Sequence, residues 1–108
     1  MDTTIWTGAS GSKYTYTVFG PSSQWNDLPG NYIFASIVGG RWMAHYVGQA
    51  SSFKNRFSNH EKLEDAVKSG ATHVHAHVNN SGESARLAEE YDLIRSNQPP
   101  CNVQLKSA

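Results

Sequence analysis

Gly30-Asn31-Tyr32-Ile33-Phe34-Ala35-Ser36-Ile37-Val38, followed by Gly39-Gly40 and by Arg41-Trp42-Met43-Ala44-His45-Tyr46-Val47-Gly48, is the stretch on which the fold turns. Two β-branched and aromatic runs flank a pair of glycines, the residue type that tolerates the positive φ of a tight turn. The segment reads as an antiparallel hairpin, with one strand over Tyr32–Val38 and its return over Arg41–Gly48.

Toward the N-terminus, Pro29-Gly30 and Pro21-Ser22-Ser23 punctuate the chain, and Tyr14-Thr15-Tyr16-Thr17-Val18-Phe19 has the character of one further strand. Toward the C-terminus, Ser51 or Ser52 is placed to cap a short helix carrying Phe53, Arg56, Phe57 and His60. A second short helix over roughly Lys62–Lys68 ends at Gly70. Thr72-His73-Val74-His75-Ala76-His77-Val78 then alternates with period two, as a third strand of the main sheet does. Asn80 and Glu83 have the spacing of a capping box for a last helix, which reaches about Ser96 before Pro99-Pro100 forbids continuation.

The 108 residues are enough for one domain with one core and too few for a second catalytic module. Nine Lys and Arg balance nine Asp and Glu, which excludes the global cationic field that drives tight, nonspecific duplex binding. The charge is uneven, however: no acid occurs from Leu28 to His60, whereas Arg41, Lys54 and Arg56 do. Cys101 is the sole cysteine, so there is no internal disulfide, and Met1–Ser12 lacks both the charged and the apolar part of a secretion signal. No run approaches the roughly 18 apolar residues of a membrane span. The expectation is a cytoplasmic protein with no membrane association.

The last helix holds an anomaly. At about 100° per residue, Leu87, Tyr91 and Ile94 form a stripe that Ala88 and Leu93 widen, and Glu90 falls inside it. Glu89 and Asp92 are assigned to the solvated face. A carboxylate turned toward packed structure needs a partner, either an arginine or a metal ion.

Gly30-Asn31-Tyr32 and Tyr46-Val47-Gly48 resemble the two tripeptides that name the GIY-YIG nucleases, with Asn31 and Val47 at the variable middle positions. Arg56 and His60, four apart, resemble that family's Arg and His or Tyr on the following helix. Glu90-Tyr91-Asp92-Leu93-Ile94 is similar to its Glu-x-x-Leu-Ile segment, and Pro99-Pro100-Cys101-Asn102 to its closing Pro-x-x-Asn. The five elements run in the family's order from Gly30 to Asn102. The resemblance implies an α/β fold with a central three-stranded antiparallel sheet flanked by helices. Residues 30–108 would be the core, with residues 1–29 an extension packed on it that carries the extra N-terminal strand. It also implies metal-dependent hydrolysis of DNA that leaves a 5′-phosphate and a 3′-hydroxyl.

A phosphodiester is inert enough that water must be aligned, the equatorial oxygens neutralised and the leaving oxygen stabilised. Glu90 is the expected ligand of one divalent metal ion, Mg²⁺ or Mn²⁺, because a two-metal site needs several convergent carboxylates. Arg56 offers a planar fork to the phosphate. Tyr32 is a general base or a water-orienting group, and an ionised phenol would need nearby cations to exist at neutral pH. Tyr46 orients the phosphate, bonds to Tyr32 or is a core strand tyrosine. His60 is a general base, a base activator or a phosphate contact. Asn102 resembles the family residue that fixes the other groups by hydrogen bonds.

The partner is expected to be DNA, single-stranded or locally unpaired, with no small-molecule cofactor. Unpaired bases stack on aromatic side chains and need only a modest basic groove. Trp25 and Trp42 are candidates for stacking and Lys54 for the backbone. His73, His75 and His77 share one strand face, read as a metal site, a polar sheet face or the lining of the substrate groove. Rival readings are a catalytically silent nucleic-acid-binding module and a nuclease for duplex DNA, branched DNA or RNA.

Overall fold

A computed structural model describes residues 2–20, 23–58 and 61–102, with Glu61 and Lys62 as backbone only. The elements are β1 (Thr3–Thr7), β2 (Lys13–Phe19), β3 (Gly30–Val38), β4 (Arg41–Ala50), α1 (Phe53–Phe57), α2 (Glu61–Lys68), β5 (His73–Val78) and α3 (Glu83–Asn97). The strands form one antiparallel sheet of order β1-β2-β5-β3-β4. The three strands expected from sequence are adjacent in it. Two N-terminal strands extend the sheet rather than the single extra one expected, because Thr3–Thr7 pairs in full with Lys13–Thr17. Threonine is a strand former, and Thr3, Thr4 and Thr7 supply three of the five residues of β1.

Two layers of side chains sandwich the sheet. Trp6, Tyr16, Ile33 and Val47 pack on one face against Leu93 and Ile94 of α3. Tyr32, Phe34, Val74 and Ala76 pack on the other against Phe53 of α1 and Ala66 of α2. Pairing of β3 with β4 shifts by one residue between Phe34, opposite Tyr46, and Ala35, opposite Ala44. His45 is therefore the extra residue of a β-bulge. Its ring is buried and hydrogen-bonded to Ser36 Oγ at 2.7 Å and to Ser69 Oγ at 2.6 Å, which ties the bulge to the end of α2. The bulge has a consequence for function: strict alternation from Ala44 would turn Tyr46 away from Tyr32, and the extra residue brings it back.

Helix α1 begins at Ser52, whose hydroxyl accepts from the Asn55 N–H at 3.2 Å. Helix α3 has no such cap. Its N-cap residue is Gly82, at φ 100°, so Asn80 and Glu83 do not form the expected box. Its buried residues are Arg86, Glu89, Leu93 and Ile94, while Leu87 and Tyr91 are 44% and 46% exposed. This rotates the helix from the expected stripe and corrects the placement of Glu89 on a solvated face, while Asp92 stays partly exposed. Glu89 is 4% exposed and accepts from Tyr16 Oη at 2.6 Å, with His77 Nδ1 at 2.9 Å and Asn79 Nδ2 at 3.4 Å. Asp92 accepts from the Ser10 N–H at 2.8 Å, Ser10 Oγ at 2.7 Å and Tyr14 Oη at 2.8 Å, and so docks the β1–β2 turn. Among the described residues, no helix is long and apolar enough to cross a membrane.

Candidate active site

The outer edge of β4 organises the site. As an edge strand it has backbone groups that no neighbouring strand satisfies, and side chains from the C-terminal third of the chain take that place. Asn102 clamps Val47 with both ends of its amide: the Val47 N–H donates to Oδ1 at 2.7 Å and Nδ2 donates to the Val47 carbonyl at 2.8 Å. The Cys101 N–H donates to the His45 carbonyl at 3.0 Å. Glu90 accepts from the Gln49 N–H. Because α3 packs on the opposite face of the sheet, Glu90 reaches the tyrosines only around this edge.

Tyr32 is buried on β3, its ring 4.9 Å from that of Phe57, 5.3 Å from Phe34 and 6.1 Å from Tyr46. Gly48 faces it across the strand pair, and a Cβ at that position would overlap the phenol ring and hydroxyl. Glycine is required there by close approach, since its φ is not positive. The Tyr32 and Tyr46 hydroxyls are hydrogen-bonded to each other, a contact that raises the pKa of Tyr32 and lowers that of Tyr46. Burial, the larger effect, pushes both phenols upward, Tyr32 strongly, and the Arg56 charge opposes it. Glu90 adds negative charge to the same space. Burial pushes its own carboxyl up to about 7, against the pull of Arg56 and the Gln49 N–H.

Arg56 itself is exposed on α1, beside a cavity of about 270 Å³ lined also by Ala50, Ser51, Ser52 and Asn55. Tyr32, Tyr46, Arg56, Glu90 and Asn102 thus collect around one edge. His60 lies outside the described residues.

The substrate candidates divide between the two faces of the sheet. Trp25 and Lys54 are on the Tyr32 side: Trp25 contacts Phe19, Phe53 and Phe57 at 4.9, 5.8 and 4.6 Å between ring centroids, and Lys54 is exposed on α1. The three histidines are on the other side, because Tyr32 pairs with Ala76 and Phe34 with Val74, which turns His73, His75 and His77 toward the α3 face. His75 is fully buried, accepting at Nδ1 from Trp6 Nε1 at 3.0 Å, and burial lowers its pKa to about 4. Its Nε2 has no hydrogen-bond partner among the described residues, but the Trp42 ring stands 4.4 Å away at 86°, a geometry open to an N–H···π contact.

His77 is held by Glu89, which raises its pKa. His73 rests against Trp42 at 5.1 Å and Thr72 Oγ1 at 2.8 Å. The groove-lining reading fails for His75, which is internal and covered by Trp42, whereas His73 and His77 are partly exposed and His77 also borders the cleft beside Trp25. Among the described residues no cluster of three or more His, Cys, Asp or Glu has metal-binding geometry.

Sequence reasoning missed Gln49, whose backbone N–H receives Glu90 and whose side chain accepts from Arg86 Nε at 3.0 Å. Its only signal was its place directly after Gly48. No family model and no curated protein matches the sequence of this chain.

Proposed function

We propose that this chain is a GIY-YIG-type endonuclease that hydrolyses DNA phosphodiester bonds with one divalent metal ion, preferring single-stranded or locally unpaired DNA. The observation that carries this reading is the convergence of Tyr32, Tyr46, Arg56 and Glu90 beside the outer edge of β4, two phenols, a guanidinium and a carboxylate close enough to shift one another's ionisation, with Arg56 bordering an open cavity. The fit to a hard divalent cation comes from Glu90. Its carboxylate is partly desolvated, and Arg56 and one backbone N–H compensate it incompletely. Mg²⁺ is commonly held by one or two carboxylates, with water and substrate phosphate completing its shell. When bound, the ion supplies charge to the scissile phosphate and lowers the pKa of water.

The chain's own groups divide the remaining work. Arg56 lies at the surface end of the site, where its fork can grip two phosphate oxygens and gain strength as charge builds in the transition state. Tyr32, held protonated by burial, works as an orienting donor rather than as a phenolate base. Tyr32 and Tyr46 share one hydrogen bond, which leaves one hydroxyl hydrogen of the pair for water or phosphate. Asn102 fixes the β4 backbone next to Tyr46 and is a positioning residue. The single-strand preference draws on the zero net charge and on Trp25 lying on the Tyr32 side.

The test is incubation of the purified protein with end-labelled single-stranded, duplex and branched DNA, in Mg²⁺, Mn²⁺ or chelator. Cleavage of single strands should require the metal and disappear in Glu90→Ala. Arg56→Ala should lower kcat at least tenfold with a smaller change in KM. Metal affinity should rise as pH passes through about 7, because the ion displaces the Glu90 proton. Binding of DNA without cleavage in any metal would remove the enzymatic reading.

A further inference from the structure

We propose that the cleft between the 24–28 loop and the β2–β5 surface is a subsite for one unpaired nucleobase of the strand being cut. The inference rests on the nuclease reading and deepens it. The cleft has a volume of about 340 Å³, near the lower limit for ligand pockets, which suits one flat base better than a longer segment. Phe19, Trp25 and Phe53 give it aromatic walls. Trp25 touches both of the others and Phe57 besides, so its ring is held in place before any ligand arrives.

The rim is polar. Thr17, Gln24 and Asn26 line the cleft, and none of their side chains hydrogen-bonds to another described residue. The loop that carries Gln24 and Asn26 is anchored on α1: the Phe53 N–H donates to the Leu28 carbonyl at 2.8 Å and the Lys54 N–H to the Asn26 carbonyl at 3.1 Å. An aromatic slot with free amides and a hydroxyl at its mouth matches the two properties of a nucleobase, apolar faces and a donor–acceptor edge. A purely apolar ligand would leave the amides desolvated and unpaired.

Packed aromatic rings connect the wall of the cleft to the active site. Trp25 lies 4.6 Å from Phe57, and Phe57 lies 4.9 Å from Tyr32. A strand with a base in the cleft passes exposed Lys54 and Arg56 on α1 as its phosphates reach the β4 edge. A base within a duplex is stacked and has its edge occupied, so the cleft excludes it. Strand form is thereby selected at a distance from the reacting phosphate.

The experiment uses Val78→Trp, which fills the cleft from a position 45% exposed, and the double variant Gln24→Ala/Asn26→Ala, which strips the rim. Circular dichroism checks that both stay folded. Affinity for a fluorescent single-stranded oligonucleotide is read by anisotropy in chelator. Turnover is read on that oligonucleotide and on bis(p-nitrophenyl) phosphate, a diester without bases. Val78→Trp should weaken oligonucleotide binding about tenfold, the scale of one lost stacking contact, and leave hydrolysis of the base-free diester within about twofold. An abasic site moved along the oligonucleotide should reproduce the loss at one position in the unsubstituted protein and add nothing in Val78→Trp. The rim variant should alter preference among the four bases at that position. Unchanged affinity in Val78→Trp together with a flat abasic scan would overturn the subsite. Failure of the unsubstituted protein to hydrolyse either diester removes the nuclease reading instead, and the anisotropy arms still decide the cleft.

Discussion

Glu90 carries a conflict between stability and function. Burial holds its carboxyl at about 7 in the folded chain, above the value of about 4.3 expected once unfolded. A raised folded-state pKa means that folding takes up a proton between those two values. The stability contributed by the neutral form is complete below about pH 4 and is lost as pH rises through about 7. Glu90→Gln keeps the shape and removes the titration. It should therefore match the native chain in Tm near pH 4 and exceed it by at least about 4 °C at pH 8, the partial exposure of the carboxyl screening the full effect, while losing cleavage altogether. Thermal unfolding followed by circular dichroism at the two pH values decides this, and equal Tm at pH 8 would mean that the carboxylate is not under strain. Gly48 is the second position where one atom matters. Gly48→Ala sets a methyl group into the Tyr32 phenol, and overpacking of this kind costs about 1–3 kcal/mol. Urea denaturation should show that loss, and turnover should fall further than stability alone explains, because the displaced hydroxyl is hydrogen-bonded to Tyr46.

At the scale of elements, α3 shows why apolar periodicity can misplace a helix. The stripe that packs is Arg86, Glu89 and Leu93, with Ile94 beside it, and the side chains that receive its polar members, Tyr16, His77 and Gln49, are far away in sequence. No local pattern encodes such pairing. Apolar Leu87 and Tyr91 stay at the surface, where Arg95 sits 5.5 Å from the Tyr91 ring. An inverted ranking of substitutions follows. Leu87→Ala should change stability by no more than about 0.5 kcal/mol. Glu89→Ala strands Tyr16 Oη and His77 and should cost about 1–3 kcal/mol for each group left unsatisfied. Chemical denaturation of the two variants tests this, and a larger loss from Leu87→Ala would reverse the assignment of faces. The strands were more legible, because period two holds through β3 and β5 and on either side of the bulge in β4, and the Gly39-Gly40 turn fixes the hairpin. What the alternation did not contain was the bulge at His45, which depends on Ser36 and Ser69 accepting an inserted ring. The candidate residues were therefore readable one by one, whereas the division of the substrate set between two sheet faces was not.

For the whole molecule, the deciding question is whether the hairpin of β1 and β2 is an attachment or part of the core. Register places β2 against β5, so the hairpin covers the edge that β5 would otherwise expose. Trp6 and Tyr16 enter the same buried cluster as Ile33, Leu93 and Ile94, at 6% and 0% exposure. They also hold the two buried titratable groups of the α3 face, Trp6 by donating to His75 and Tyr16 by donating to Glu89. Removing residues 1–29 would thus delete two large aromatic side chains from the core, uncover a strand edge and leave a histidine and a carboxylate without those donors. Loss of one large aromatic from a core costs about 3–5 kcal/mol, and small domains have only about 5–15 kcal/mol in all. The fragment 30–108 contains every residue of the proposed active site and should nevertheless fail to fold. Its near-ultraviolet circular dichroism should be flat, its unfolding non-cooperative and its nuclease activity absent. Adding back a synthetic peptide of residues 2–20 should restore part of the signal, because Thr17, Val18 and Phe19 of β2 pair with Ala76, His75 and Val74 of β5. A cooperatively folded, active fragment would mean instead that β3, β4, β5 and the helices close a core by themselves and that Trp6 and Tyr16 are dispensable.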